Sequence, residues 1–147
     1  MLAPHPFGHD ITEQSLIERF TGLRQWEDRY RQLILLAKIV PALDESLKTP
    51  ESELSGCENR VWLGAQRQEN GGIHFYGDSE GRIVKGLLAV LLTKVEGKTP
   101  QAILADDPLV LFDTLGLREQ LSTSRASGLA ALAAGVLQLA LREVESI

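Results

Sequence analysis

The stretch that decides the fold is RVWLGAQRQENGGIHFYG, residues 60–77. Its first half alternates between apolar and polar side chains, which is typical of a β-strand with two different faces. Asn70 and Gly71 form a dipeptide that favours a hairpin turn, because both residues tolerate positive φ angles. Residues 72–76 supply the returning strand. The sequence therefore predicts a β-hairpin over residues 60–77.

Helical patterns lie on both sides of this hairpin. Before it, apolar residues recur at steps of three and four in residues 12–21 and 26–40. After it, the most apolar pattern runs over residues 83–95, and an alanine-rich one over residues 122–144. Two strands joined by a tight turn cannot be a parallel pair. The order predicts an α+β fold, a small antiparallel sheet packed against several helices.

Less regular segments connect these elements. Residues 1–10 contain two prolines and a glycine, and we expect an N-terminal arm that lies on the domain or trails from it. His5 and His9 would share a face only on a helix, which the proline and glycine between them oppose, so no metal site is expected. The segment 77–81 is expected to break the hairpin and to offer Asp78 and Ser79 as helix caps.

Size and charge exclude several classes of protein. A chain of 147 residues matches one compact domain, so we expect a single domain over residues 1–147. The net charge of -5 argues against a nucleic-acid surface. The longest apolar run, residues 87–92, is too short for a membrane span, and the N-terminus does not resemble a signal peptide. A single cysteine cannot form an internal disulfide. We therefore expect a cytoplasmic location.

Cys57, the only cysteine, immediately precedes the hairpin. Gly56 favours access to it, because glycine permits backbone conformations that other residues resist. Arg60 would stabilise a thiolate and Glu58 would oppose one, so the sequence leaves the balance open.

Three uses of this thiol remain open. It could be inert, as lone buried cysteines commonly are, in a non-catalytic interaction domain. It could be the nucleophile of a small cysteine hydrolase with His74 as its base, although His74 sits in an alternating strand where an exposed position is expected. It could also carry a sulfur atom, a role that needs one thiol and no internal partner.

Five motifs in this order resemble those of the SufE family of sulfur acceptors. The likeness runs from about residue 7 to residue 140, and GCENRVWLG at 56–64 with HPFG at 5–8 is most similar to its CsdE branch. The motifs are WEDRYRQLI at 26–34, SGCENRVWL at 55–63, FYGDSE at 75–80, IVKGL at 83–87 and SRASGL at 124–129.

The resemblance implies a function. Cys57 would accept persulfide sulfur from a cysteine desulfurase that uses pyridoxal phosphate, would stimulate that enzyme, and would pass the sulfur to a downstream acceptor in iron–sulfur cluster assembly or a related transfer. The pyridoxal phosphate would belong to the partner, and this chain would bind no cofactor. The fold would be akin to iron–sulfur scaffold proteins, with the cysteine on a loop beside the sheet.

The resemblance also implies roles for residues near Cys57. The acidic turn 78–80 would lie near the cysteine loop, and Arg125 would help Gly56 to organise that loop. We expect Cys57 to rest partly sheltered and to swing out when the desulfurase docks. Trp62 is expected on the outer face of the sheet, either packed there or exposed as an anchor for the partner. The residues predicted to contact the partner are Glu58, Asn59, Arg60, Trp62, Asp78, Ser79 and Glu80.

Overall fold

The computed structural model describes residues 1–145, so the last two residues of the expected domain lie outside it. Helices pack against one two-stranded antiparallel hairpin, and the predicted α+β fold is confirmed. The elements are α1 (Glu13–Phe20), α2 (Trp26–Ile39), a short 3-10 turn (Glu45–Leu47), β1 (Val61–Arg67), β2 (Ile73–Ser79), α3 (Arg82–Val95), α4 (Pro100–Leu104), α5 (Val110–Thr114) and α6 (Thr123–Glu145).

The hairpin extends further along β2 than the sequence predicts. The strands pair antiparallel from Arg67 opposite Ile73 to Val61 opposite Ser79. Asp78 and Ser79 were expected to cap the next helix from a loop, and that expectation is wrong. Both pair with β1, and the cap position of α3 falls on Gly81, where no side chain caps the helix.

Helix α3 forms the centre of the core, and most of its side chains are buried. It packs against α2, β2 and α6. At Gly86 the α2 backbone comes very close, because a β-carbon there would collide with the Leu33 carbonyl oxygen. Only glycine permits this approach of two helices.

Helix α6 is, among the described helices, the one long and apolar enough to cross a membrane by length and composition. It contacts α3, α4 and β1 of this chain. These contacts account for its buried residues, which are Gly128, Leu129, Leu132, Ala133, Val136 and Ala140.

The N-terminal arm lies on the domain. Phe7 is fully buried in the main core, and Ala3 packs against a second small cluster of Leu43, Trp62 and Tyr76. The arm is tied to the hairpin where the Leu2 N–H donates to the Gln66 side chain. The arm therefore covers part of the sheet face that lies away from α3.

The three histidines of the chain meet at one buried carboxylate, Glu96. His74 is fully buried, so the expectation that it is exposed is wrong. Its Nδ1 lies 2.6 Å from Glu96 Oε2 and its Nε2 lies 2.6 Å from the Leu2 carbonyl oxygen. Both ring nitrogens of His74 are therefore engaged by buried oxygen atoms, one on a side chain and one on the backbone.

The hydrogen bonds of the His5 ring define its tautomer. Its Nδ1 accepts from the Phe7 N–H at 3.1 Å, so its Nε2 carries the proton and donates to the Phe75 carbonyl at 2.7 Å. The ligand atoms of His5, His74 and Glu96 lie within 4.8 Å of one another, a spacing that a metal ion could use. The protonated Nε2 has no lone pair to offer, however. The cluster is therefore organised as a hydrogen-bond network.

Candidate functional site

Cys57 lies on a loop, residues 55–60, that precedes β1. Glu53 forms a bridge with Trp62, and the Leu54 N–H donates to the Val61 carbonyl at 2.8 Å. The Arg60 guanidinium donates twice to the Glu53 carboxylate, at 3.1 and 2.8 Å. Both ends of the loop are therefore fixed to each other, while the residues between them project from the sheet.

Gly56 gives this loop its shape. Its φ of +83° lies in the left-handed region, and a β-carbon there would meet nothing within 4 Å. Glycine is therefore required by backbone conformation and not by lack of space. This observation agrees with the predicted loop-organising role of Gly56, which remains a prediction.

Cys57 lies at the edge of a groove of about 550 Å³. The thiol is partly exposed and packs against the main core, and this burial raises its pKa. The Arg60 guanidinium, which the sequence offers as a stabiliser of a Cys57 thiolate, forms an ion pair with Glu53. The groove is lined by Tyr30, Ile34, Cys57, Glu58, Asn59, Val61, Gly81, Arg82, Ile83, Val84, Ser122, Ser124, Arg125 and Gly128.

Arg125 and Tyr30 join two walls of this groove. Arg125 Nη1 donates to the Tyr30 hydroxyl at 2.5 Å, and its guanidinium lies 5.0 Å from the centre of the tyrosine ring. Tyr30 is on α2 and Arg125 is on α6. Among residues 1–145, the side-chain hydrogen bond of Arg125 is with Tyr30 and not with the 55–60 loop. Its predicted role in organising that loop stays a prediction.

Three of the residues predicted to contact a partner are buried. Trp62 is 3% exposed, and its indole lies beneath Lys48 and Arg60, at 4.7 and 4.9 Å. Of the two alternatives for Trp62 on the outer face, the structure shows packing and not exposure, because the 42–53 segment and the arm cover it.

Asp78 and Ser79 are also buried, and Asp78 has structural partners. Its carboxylate accepts from the Leu43 N–H at 3.1 Å and lies 3.2 Å from Lys85 Nζ. Contact of Asp78 and Ser79 with a partner stays a prediction, and it would require the residues that cover them to move.

The other predicted contact residues are exposed around the groove. Glu58, Asn59 and Arg60 follow Cys57 on its loop, and Glu80 lies beside them just before α3. The Glu80 N–H donates to the Arg60 carbonyl at 3.0 Å, which joins the two segments. These four exposed residues therefore lie on two joined segments, of which Glu58 and Asn59 line the groove with Cys57.

Sequence reasoning missed most of the opposite groove wall. The periodicity of residues 26–40 places Tyr30 on the apolar face of α2, and no sequence pattern singles out Arg82 or Ser122. Helical periodicity cannot distinguish a groove wall from a core face, since both contain apolar residues at the same spacing. The signal that was present is the family motif at 26–34, which includes Tyr30.

The geometry does not support a pair formed by Cys57 and His74. His74 lies opposite Gln66, whereas the cysteine loop joins the hairpin at Val61, opposite Ser79. These positions are five residues apart along the strand, a distance of about 17 Å. Both ring nitrogens of His74 are also hydrogen-bonded to Glu96 and Leu2, so neither is free to accept a proton from Cys57.

Comparison with known proteins gives a consistent result. The sequence model of the SufE family, described as an Fe-S metabolism associated domain, matches residues 14–140. The chain is 59% identical over 135 residues to the sulfur acceptor protein CsdE of Escherichia coli, covering 92% of each chain. It is 42% identical over 117 residues to an uncharacterized SufE-like protein of Rhizobium etli, covering 78% of this chain and 79% of that one.

A solved structure shares the fold. The solution structure of a hypothetical protein from Thermus thermophilus matches with a TM-score of 0.66 and 23% identity, covering 90% of this chain and 96% of that chain. The predicted resemblance to the SufE family and its CsdE branch is confirmed. The family match over residues 14–140 and the identity to CsdE show that this chain belongs to the SufE family.

Proposed function

We propose that this chain is a sulfur acceptor, in which Cys57 takes sulfur from the persulfide of a cysteine desulfurase and passes it on. One observation carries the proposal most strongly. The only cysteine of the chain lies partly exposed on a projecting loop, in a sequence 59% identical to a sulfur acceptor protein.

The transfer is a thiol exchange. The Cys57 thiolate attacks the outer sulfur of the desulfurase persulfide, and the sulfur–sulfur bond of that persulfide breaks. The bonding electron pair stays on the desulfurase cysteine, which leaves as a thiolate, and Cys57 now carries the S–SH group. The absence of a second cysteine favours this role, because a neighbouring thiol would discharge the persulfide as an internal disulfide.

The environment of Cys57 suits activation by a partner. Burial raises the pKa of the thiol, so little thiolate forms in the free protein near neutral pH. Docking that draws the loop away from the core would reverse this effect. Gly56 offers a pivot for such a movement, and the exposed surface of Glu58, Asn59, Arg60 and Glu80 offers the contacts.

The remaining parts of the proposal concern the partners. The pyridoxal phosphate belongs to the desulfurase, and this chain contributes the thiol. A downstream protein then removes the sulfur, for iron–sulfur cluster assembly or a related transfer, and we place the exchange in the cytoplasm.

Stimulation of the desulfurase tests this function. The rate of alanine production by a purified desulfurase supplied with cysteine is measured with this protein, with Cys57→Ser, and with neither. We expect the wild-type protein to raise the rate and Cys57→Ser not to. Equal rates in all three mixtures with a desulfurase that binds the protein would contradict the proposal.

A further inference from the structure

The groove beside Cys57 carries two arginines without ion-pair partners. Arg82 begins α3 and Arg125 lies in the first turns of α6, and both line the groove. Within residues 1–145 neither guanidinium forms a salt bridge, and Arg82 makes no side-chain hydrogen bond. Arg125 uses one N–H for Tyr30, and a guanidinium has five. Donors for a negatively charged group are therefore free in the groove.

The rest of the lining fits a small polar molecule. Asn59, Ser122 and Ser124 add amide and hydroxyl groups, and Glu58 is the one carboxylate among the described lining residues. A volume of about 550 Å³ is typical of small-molecule sites, which range over roughly 300–1,000 Å³. Because Cys57 lines the same groove, a molecule seated there has access to its sulfur.

We propose that the groove binds small thiols that carry a carboxylate, and that such thiols remove sulfur from the Cys57 persulfide. Arg82 and Arg125 hold the carboxylate, since guanidinium groups match carboxylates in geometry and charge. The sulfur-removing step rests on the proposed function, which supplies the persulfide; the binding of the anion does not.

The reaction balances without another reactant. The bound thiolate attacks the outer sulfur of the Cys57 persulfide and forms a new sulfur–sulfur bond. The bond between this sulfur and Cys57 Sγ breaks, and Sγ leaves with the electron pair as a thiolate. The small thiol becomes a persulfide that retains the proton of the outer sulfur, so the total charge is unchanged.

Charge distinguishes this proposal from simple solvent access to Cys57. The whole chain has a net charge of -5, so its overall field repels anions. Without a binding site, anionic reagents should therefore react with Cys57 more slowly than neutral ones. A preference for anions must come from the local cations of the groove.

The first experiment uses the free protein with no desulfurase. Disulfide exchange at Cys57 is followed with the dianionic reagent dithiobis(2-nitrobenzoate) and with neutral dithiodipyridine. The rate with the dianionic reagent is divided by the rate with the neutral one. This ratio is then normalised by the same ratio measured for N-acetylcysteine amide, a neutral thiol. We expect a normalised ratio of roughly tenfold or more, the effect of a charge-assisted hydrogen bond.

Matched variants locate the effect. Arg82→Gln and Arg125→Gln should lower the normalised ratio, and Arg125→Lys, which keeps the charge, should retain part of it. Arg19→Gln removes an exposed charge on α1, away from the groove, and should leave the ratio as in the wild type. A wild-type ratio at or below one, or equal ratios in Arg82→Gln and Arg19→Gln, would overturn the proposal.

The second experiment tests sulfur removal. Protein loaded with persulfide is mixed with 3-mercaptopropionate or with neutral 2-mercaptoethanol, at equal thiolate concentration, and the loss of the extra sulfur is followed by mass. We expect faster loss with the anionic thiol, and no such advantage in Arg82→Gln. Equal rates in the wild type would overturn the sulfur-removing step. Failure of the desulfurase to load Cys57 would instead count against the proposed function, because the first experiment needs no loading.

Discussion

His74 Nδ1 and Glu96 Oε2 lie 2.6 Å apart with both side chains fully buried. Removal of an ionised carboxylate from water is costly, and it is tolerated here because every polar atom of the two side chains has a partner. His74 also donates to the Leu2 carbonyl, and the Phe75 N–H donates to Glu96 Oε1 at 2.9 Å. The pair thus joins the N-terminal arm, β2 and the end of α3.

The first prediction concerns acid stability. Burial of Glu96 opposes its ionised form, but hydrogen bonds from His5, His74, the Phe75 N–H and His9 outweigh this effect and lower its pKa to about 2. Since this pKa lies below its usual 4.5, the stabilisation is complete above about pH 4.5 and is lost as the pH falls towards 2. The contribution is about 3 kcal/mol.

Urea unfolding at a series of pH values between 2 and 6 measures this effect, in the wild type and in Glu96→Gln. The variant should be less stable at pH 6 and should lose less stability on acidification. Glu119→Gln, which removes an exposed carboxylate before α6, should keep the wild-type profile. Parallel profiles for the wild type and Glu96→Gln would contradict the assignment.

The second prediction separates structure from catalysis at His74. His74→Ala removes the hydrogen bond of 2.6 Å to the buried Glu96 carboxylate, and we expect the free energy of unfolding to fall by about 3–5 kcal/mol. His9→Ala removes a more exposed partner of Glu96, 45% exposed, and should cost about 1 kcal/mol or less. Folded His74→Ala should still accept sulfur. If folded His74→Ala protein no longer accepted sulfur, this prediction would be contradicted and the pairing of His74 with Cys57 would be supported instead.

The contrast between His74 and the hairpin turn shows what the sequence could predict about the fold. Alternation over residues 60–68 and the Asn70–Gly71 turn are local patterns, and the observed hairpin follows them. The burial of His74 depends on Glu96 and Leu2, which lie 22 and 72 residues away along the chain. No local pattern indicates such partners, so a histidine in an alternating strand was expected to be exposed.

The third prediction concerns the shape of the cysteine loop. Gly56→Ala places a side chain at a φ of +83°, with open space around it, so its cost of about 1 kcal/mol comes from the backbone alone. Gly22→Ala is a matched control, since Gly22 has a φ of +87° and equally open space, but lies after α1.

Both glycine variants should therefore lose similar stability in urea unfolding. Only Gly56→Ala should change the rate at which iodoacetamide alkylates Cys57. If Cys57 is alkylated at the wild-type rate in both variants although Gly56→Ala is destabilised, the shape of this loop does not control access to the thiol.

The fourth prediction concerns the groove wall. Tyr30→Phe keeps the ring beneath Arg125 but removes the hydroxyl that accepts its hydrogen bond, and should cost about 1–2 kcal/mol. Tyr76→Phe removes a hydroxyl that has no hydrogen bond to a described residue, and should change stability by less than about 0.5 kcal/mol. Thermal unfolding of both variants checks this difference; equal shifts would show that the bond between α2 and α6 contributes nothing.

The candidate site was predictable only in part. Cys57 could be singled out because it is the only cysteine and follows a glycine. The burial of its neighbours could not be predicted, because the 42–53 segment covers Trp62 and Asp78. That segment shows little secondary-structure pattern in the sequence. The groove itself is formed by α2, α3, α6 and the cysteine loop together, and such a meeting of distant segments is a property of the packed chain.

The transfer of sulfur to Cys57 is the central claim, and intact mass measurement tests it most directly. The protein is incubated with a cysteine desulfurase and cysteine, without reductant, and its mass is compared with that of Cys57→Ser treated alike. The account predicts the gain of one sulfur atom by the wild type and none by the variant. No gain by the wild type, or an equal gain by Cys57→Ser, would contradict it.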